Sequence, residues 1–142
     1  MNKIFQRGFL SIIFIIGTAF SAHAESPRYD GLYYVKLRNF TMYFRFFTDG
    51  RVINANVPGK PDNTVKEWFD VTFNENHGTF TMDGYDIKFF IESEDGIVEY
   101  IGKLNRHFDK KGRIKTENLQ VDMHSLINNH KASIKLIFMA GV

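Results

Sequence analysis

The sequence predicts an all-β fold: a single small antiparallel up-and-down barrel of about eight strands. Three observations predict it. Apolar and polar residues alternate with a period of two along most of the chain, the pattern of a sheet whose successive side chains point to opposite faces. Turns containing glycine separate these runs at short intervals. The length that remains after an N-terminal leader suits one domain with one core, and closing the sheet on itself removes its exposed edges. A two-sheet sandwich is the main alternative for the same pattern.

The leader is residues 1–24. Lys3 and Arg7 supply a positive start, "FLSIIFIIGTAF" an apolar stretch, and "AHA" ending at Ala24 the small residues of a cleavage site. The mature domain is therefore expected to span residues 25–142 and to be exported by the Sec route, as a periplasmic or secreted bacterial protein. The chain contains no cysteine, which excludes a lipoprotein anchor, disulfides and thiol catalysis. Two of its 18 Lys and Arg lie in the leader, so the remaining 16 balance the 16 Asp and Glu. A neutral chain has no general attraction to nucleic acid or to anionic lipid.

The elements follow in order. "DGLYYVK" is a first strand, with Leu32 and Tyr34 on one side and Tyr33 and Val35 on the other. In "TMYFRFFTDGRV" Met42, Phe44 and Phe46 alternate with Tyr43, Arg45 and Phe47, and the turn "TDGR" leads into a third strand, "RVINANV". "PGKPDNTVKEWFD" breaks the alternation. Its two prolines and a glycine make a loop, and Thr64 with Glu67 three residues later is the spacing of a capping box, so a short helix is expected with Val65, Trp68 and Phe69 on one side. Three strands follow in "HGTFTMDGYDIKFFIESEDGIVEYIGKL", with turns at Asp83-Gly84 and Asp95-Gly96. A charged loop, "NRHFDKKGR", leads to "IKTENLQVDMHS" and, after "LINNH", to "KASIKLIFM".

The start "DGLYYV", with a glycine two residues before an aromatic in the first strand, the meander of hairpins and the chain length resemble the calycin group: lipocalins, fatty-acid-binding proteins and avidins. The segment "FRFFTDGRV" also resembles one found in small exported lipocalin-like bacterial proteins. Lipocalins and avidins usually carry tryptophan where this chain has Tyr33, and the arginine that lipocalins hold near the last strand has no counterpart here. The resemblance implies a barrel and a binding function; it implies no activity and no cofactor.

The residue chemistry leaves two readings open. Tyr33, Tyr43, Phe89, Tyr100 and Trp68 are rings able to line an apolar pocket, with Arg45 offering a planar donor fork to an anionic head group. They are equally able to fill the core, with Arg45 lying outward across exposed rings. The favoured function is non-enzymatic binding of a small apolar or amphipathic molecule, or of a protein partner in the runner-up reading of an inhibitor or interaction module. "QVDMHS" holds the residue types of a hydrolytic triad, but Asp122 and His124 point to one side of a strand and Ser125 to the other. His130, His107 and His77 stand at no metal-ligand spacing, so no metal site is expected. An outer-membrane barrel would need strands of about 9–11 residues with apolar exteriors, and several strands here are too short.

Overall fold

The alternating runs form eight strands: β1 (Gly31–Lys36), β2 (Phe40–Phe46), β3 (Arg51–Pro58), β4 (His77–Asp83), β5 (Asp86–Ser93), β6 (Gly96–Phe108), β7 (Ile114–Ser125) and β8 (Lys131–Ala140). The structure, a computed structural model, describes residues 25–61, 65, 69 and 76–141. Each strand pairs antiparallel with the next, and β8 returns to β1, so the sheet closes into a barrel as expected. Tyr33 marks the closure, pairing with Phe44 on one side and Phe138 on the other. The turn between β2 and β3 closes through a hydrogen bond from Gly50 N–H to Phe47 C=O. Gly50 holds φ at 88° there, a conformation that costs glycine nothing and a side chain about 1–2 kcal/mol.

Strand parity decides the core. Tyr33, Phe44, Phe46, Val52, Ile87, Phe89, Tyr100, Leu104, Leu119, Val121 and Leu136 all turn inward and pack together. Near the barrel axis Phe89 stacks on Tyr100, 4.6 Å between centroids, and Phe44 meets both edge-on at 5.6 and 5.3 Å. Phe46 stands edge-on to Tyr33, Phe80 and Phe89 at 5.4, 5.1 and 5.3 Å. Gly102 is inward as well, and a Cβ there would lie 1.9 Å from the Gln120 carbonyl oxygen. Its missing side chain lets β7 cross close beside β6.

A second apolar cluster lies outside the barrel. Leu32, Tyr43, Ile53 and Ala55 face outward from β1, β2 and β3, and Val65 and Phe69, four residues apart after β3, cover them. This explains why those strands are apolar on both faces. No α-helix occurs among the described residues; the helix expected after β3 rested on Thr64, Glu67 and Trp68, which lie outside them. The charged loop also begins later than the sequence suggests. β6 continues through Asn105, Arg106, His107 and Phe108, because β7 pairs with it as far as Ile114.

The axial rings set the first prediction. Phe44→Ala removes a fully buried ring from the centre of the stack and should lower unfolding stability by about 3–5 kcal/mol, read from the urea midpoint. Thr48→Ala in the exposed turn should stay within about 0.5 kcal/mol of the parent protein. A Phe44→Ala loss below about 1 kcal/mol would contradict the packed axis.

Candidate functional site

The two ends of the barrel are built differently. The N-terminal residues 25–30 cross one end, where Glu25 N–H donates to the Gly84 carbonyl at 3.1 Å. Beneath them Arg106 of β6 and Glu117 of β7 are paired in register and both point inward. A carboxylate buried this deeply needs its charge matched and its lone pairs filled. The Arg106 guanidinium approaches Glu117 with Nε 2.9 Å from Oε2 and Nη2 3.4 Å from Oε1, while its Nη1 reaches the Glu25 carboxylate at 2.9 Å. The Tyr33 hydroxyl donates to Glu117 Oε1 and accepts from Arg28 N–H at 2.8 Å. Burial, reinforced by the hydrogen bond to Glu117, pushes the Tyr33 hydroxyl pKa well up. Burial pulls the Arg106 pKa down, and the Glu117 carboxylate more than restores it. Arg28 completes the seal by laying its guanidinium 4.1 Å from the centre of the Phe138 ring.

At the opposite end, where the β1–β2, β5–β6 and β7–β8 turns gather, the described residues leave the barrel open. There the barrel interior widens into a cup of about 490 Å³. Met42, Ile91, Val98, Tyr100 and Met123 form its apolar floor. Asn54 and Asn56 of β3, Ser93 and Asp95 around the β5–β6 turn, and Ser125 with His130 at the β7–β8 turn supply polar groups above it. The same inward parity that fills the barrel below puts Asn54 and Asn56 in the wall, opposite Phe44 and Met42 in register. Asn54 is 4 % exposed, and its Nδ2 donates to the Tyr43 carbonyl at 3.0 Å and to Asn56 Oδ1 at 3.3 Å. Tyr100 is 2 % exposed. Burial alone raises its hydroxyl pKa, with no hydrogen-bond partner among the described residues.

A larger depression, about 600 Å³, runs over the outside of β6, β7 and β8 between Glu99, Asp122, His124 and Lys131. It is a groove between outward side chains, and the triad residue types in it are engaged with neighbours. Ser133 Oγ donates to Asp122 at 2.5 Å, and His124 Nε2 lies 2.8 Å from Asn129 Oδ1. Ser125 faces the barrel interior and these two face out, so the triad residue types do not converge. No group of three or more His, Asp and Glu is placed to hold a metal ion among the described residues.

The residues singled out from the sequence divide accordingly. Tyr100 lies in the floor of the cup, with Phe89 stacked against it from the filled side. Tyr33 is buried at the closed end, away from the cup. Tyr43 and Arg45 are outside the barrel, a correction to their placement in a pocket: their parity opposes that of Phe44 and Phe46, which the core claims. Arg45 lies with its guanidinium 5.0 Å from the Phe47 ring centre and donates through Nη1 to the Phe69 carbonyl at 2.8 Å, the outward reading. Trp68 lies outside the described residues. The Arg106–Glu117 pair went unseen because the sequence reading ended the sixth strand at Leu104. Carried two residues further, the period would have put a cation inward beside an inward carboxylate.

Compared with known protein families, curated proteins and solved structures, the chain matches none of them.

The two buried tyrosines yield a pH prediction. Tyr33 and Tyr100 have folded pKa values above the ordinary value of 10.0, so above that pH the unfolded chain releases protons that the folded chain keeps. Stability is then fully present below about pH 10 and falls as pH rises beyond it. The double substitution Tyr33→Phe, Tyr100→Phe should flatten that fall in denaturation curves collected between about pH 9 and 11.5. An unchanged slope would contradict the burial of both hydroxyls. Arg106→Ala, which leaves the buried Glu117 carboxylate without its cation, should cost about 3–5 kcal/mol at neutral pH, well beyond the loss from Tyr33→Phe.

Proposed function

We propose that the protein is an exported, non-enzymatic binding protein, lipocalin-like in architecture, that holds one compact molecule in the cup at the open end of its barrel. The observation that carries this reading is the division of the interior. One half is filled with aromatic rings and sealed by charge pairs, whereas the other opens to an apolar floor beneath a polar rim. Small-molecule sites are commonly concave, mostly apolar and fitted with a few placed polar groups, and about 490 Å³ falls within their usual range of about 300–1,000 Å³. The charged residues on the outer faces of β5 to β8, such as Lys88, Lys103, Asp122 and Lys135, support a barrel whose outside meets water, the reverse of the apolar exterior a membrane barrel needs.

Leu126 and Ile127, about half exposed on the β7–β8 turn, favour a second reading in which the open rim docks a protein partner. Native followed by denaturing mass spectrometry of the purified exported protein separates the two. A stoichiometric small adduct, released on denaturation and absent from Val98→Phe protein in which the cup floor is filled, is expected. A clean apo mass, with intrinsic fluorescence unmoved by small apolar and aromatic probes, would sink the small-molecule reading and leave the partner surface.

A further inference from the structure

The shape and charge of the cup narrow what it can hold, and this step rests on the cup being the binding site. Depth sets the first limit. The Phe89–Tyr100 stack, with Phe44 edge-on to both rings, lies directly below the floor, and Phe46 and Phe80 fill the space beneath. Space inside a packed core is not available to a ligand without displacing rings. A long acyl chain therefore has nowhere to lie along the barrel axis, and the occupant must be short.

Charge sets the second limit. Among the described residues no lysine or arginine lines the cup, and Asp95 is the one carboxylate in its wall. Beside it Glu94, Ser93 and Asn76 border a smaller recess of about 290 Å³ that opens from the same rim. Arg38, in the turn between β1 and β2 at this end, is not part of either wall. An anionic head group would meet the β5–β6 turn with two carboxylates ahead of it and, among the described residues, no lysine or arginine in the wall to receive it, His130 across the rim being the one imidazole there.

The Tyr100 hydroxyl offers an occupant a polar contact at the floor of the cup. It borders the cup from inside the barrel, 2 % exposed and without a hydrogen-bond partner among the described residues. A polar group on an occupant of the cup would take up the hydrogen bond that no described residue makes to it.

We infer that the cup takes a short amine: a compact apolar or aromatic body seated on Met42, Val98, Tyr100 and Met123, with a cationic nitrogen directed at Asp95 and Glu94. The aromatic floor suits such a body, and the ammonium gains from both carboxylates at a rim where salt still reaches it. The inference reads the partner's chemistry as a primary or substituted amine rather than a carboxylic acid or a fatty acyl chain.

Isothermal titration with four probes tests it: 2-phenylethylamine, 2-phenylethanol, phenylacetate and palmitate. The amine should bind about tenfold or more tightly than the alcohol, with phenylacetate and palmitate giving no saturable heat. Asp95→Asn should bring the amine within about twofold of the alcohol while leaving the alcohol unchanged. Phenylacetate binding as tightly as the amine, or palmitate saturating at one equivalent, would overturn the inference and leave the cup standing as a site. Absence of binding by all four, in parent and Val98→Phe proteins alike, would overturn both the inference and the binding function on which it rests.

Discussion

The structure depends on the stack of rings that crosses the barrel axis. Phe89 lies flat on Tyr100, and from the opposite wall Phe44 meets both rings and Phe46 meets Phe89 edge-on, so β2 is tied to β5 and β6 across the interior by contacts no sheet hydrogen bond could make. Aromatic pairs in such geometries contribute about 0.5–1.5 kcal/mol each beyond their burial. Without cysteine, no covalent tie shares the task. The stack also partitions the molecule, because it is a floor when viewed from the open end and a ceiling when viewed from the closed one.

The closed end shows how a charged group is tolerated in an all-β core. Arg106 and Glu117 face each other across one rung of the β6–β7 ladder, so the sheet register itself brings them together. Glu25 and Ser26 take up the remaining guanidinium donors, and Tyr33 and Arg28 link the network to β1 and to the Phe138 ring of β8. The residues that precede β1 are thus held at the end of the barrel by side chains separated from them by about eighty positions in sequence. Replacing the pair with apolar residues of like volume is often neutral for stability, whereas removing Arg106 alone leaves the buried Glu117 carboxylate without its cation. Among the described residues the open end has no ion-pair network, and Asn, Ser and Asp groups line its cup.

Much of this was legible in the chain. Period-two alternation placed the strands, Asp-Gly dipeptides marked the turns, and the inward sets through Phe44, Ile87, Tyr100, Leu119 and Leu136 follow directly from parity. Parity did not reveal which face of β2 the barrel encloses, because Tyr43 and Phe47 are as apolar as the rings they alternate with. The outer cluster with Val65 and Phe69 makes both faces of β1, β2 and β3 buried, and a strand buried on both faces loses the contrast on which the reading depends. The cup was hidden for a different reason. Its wall is made by Asn54, Asn56 and Ser125, polar residues at inward positions, and in the third strand the sequence points instead to Ile53, Ala55 and Val57 as the apolar face. Only strand closure brings them around Tyr100.

The central claim is that a ligand enters the open half of the barrel and stops at the ring stack. The methionines test it directly. Met42 and Met123 line the cup, Met82 packs in the core beside Ile87 toward the closed end, and Met139 packs on the outer cluster. With methionine methyl groups labelled with carbon-13, titration of 2-phenylethylamine should move the Met42 and Met123 resonances together and leave those of Met82 and Met139 in place. Movement confined to Met139, or equal movement of Met82, would contradict the account, since it would put the ligand outside the barrel or below a floor that the ring stack is held to close.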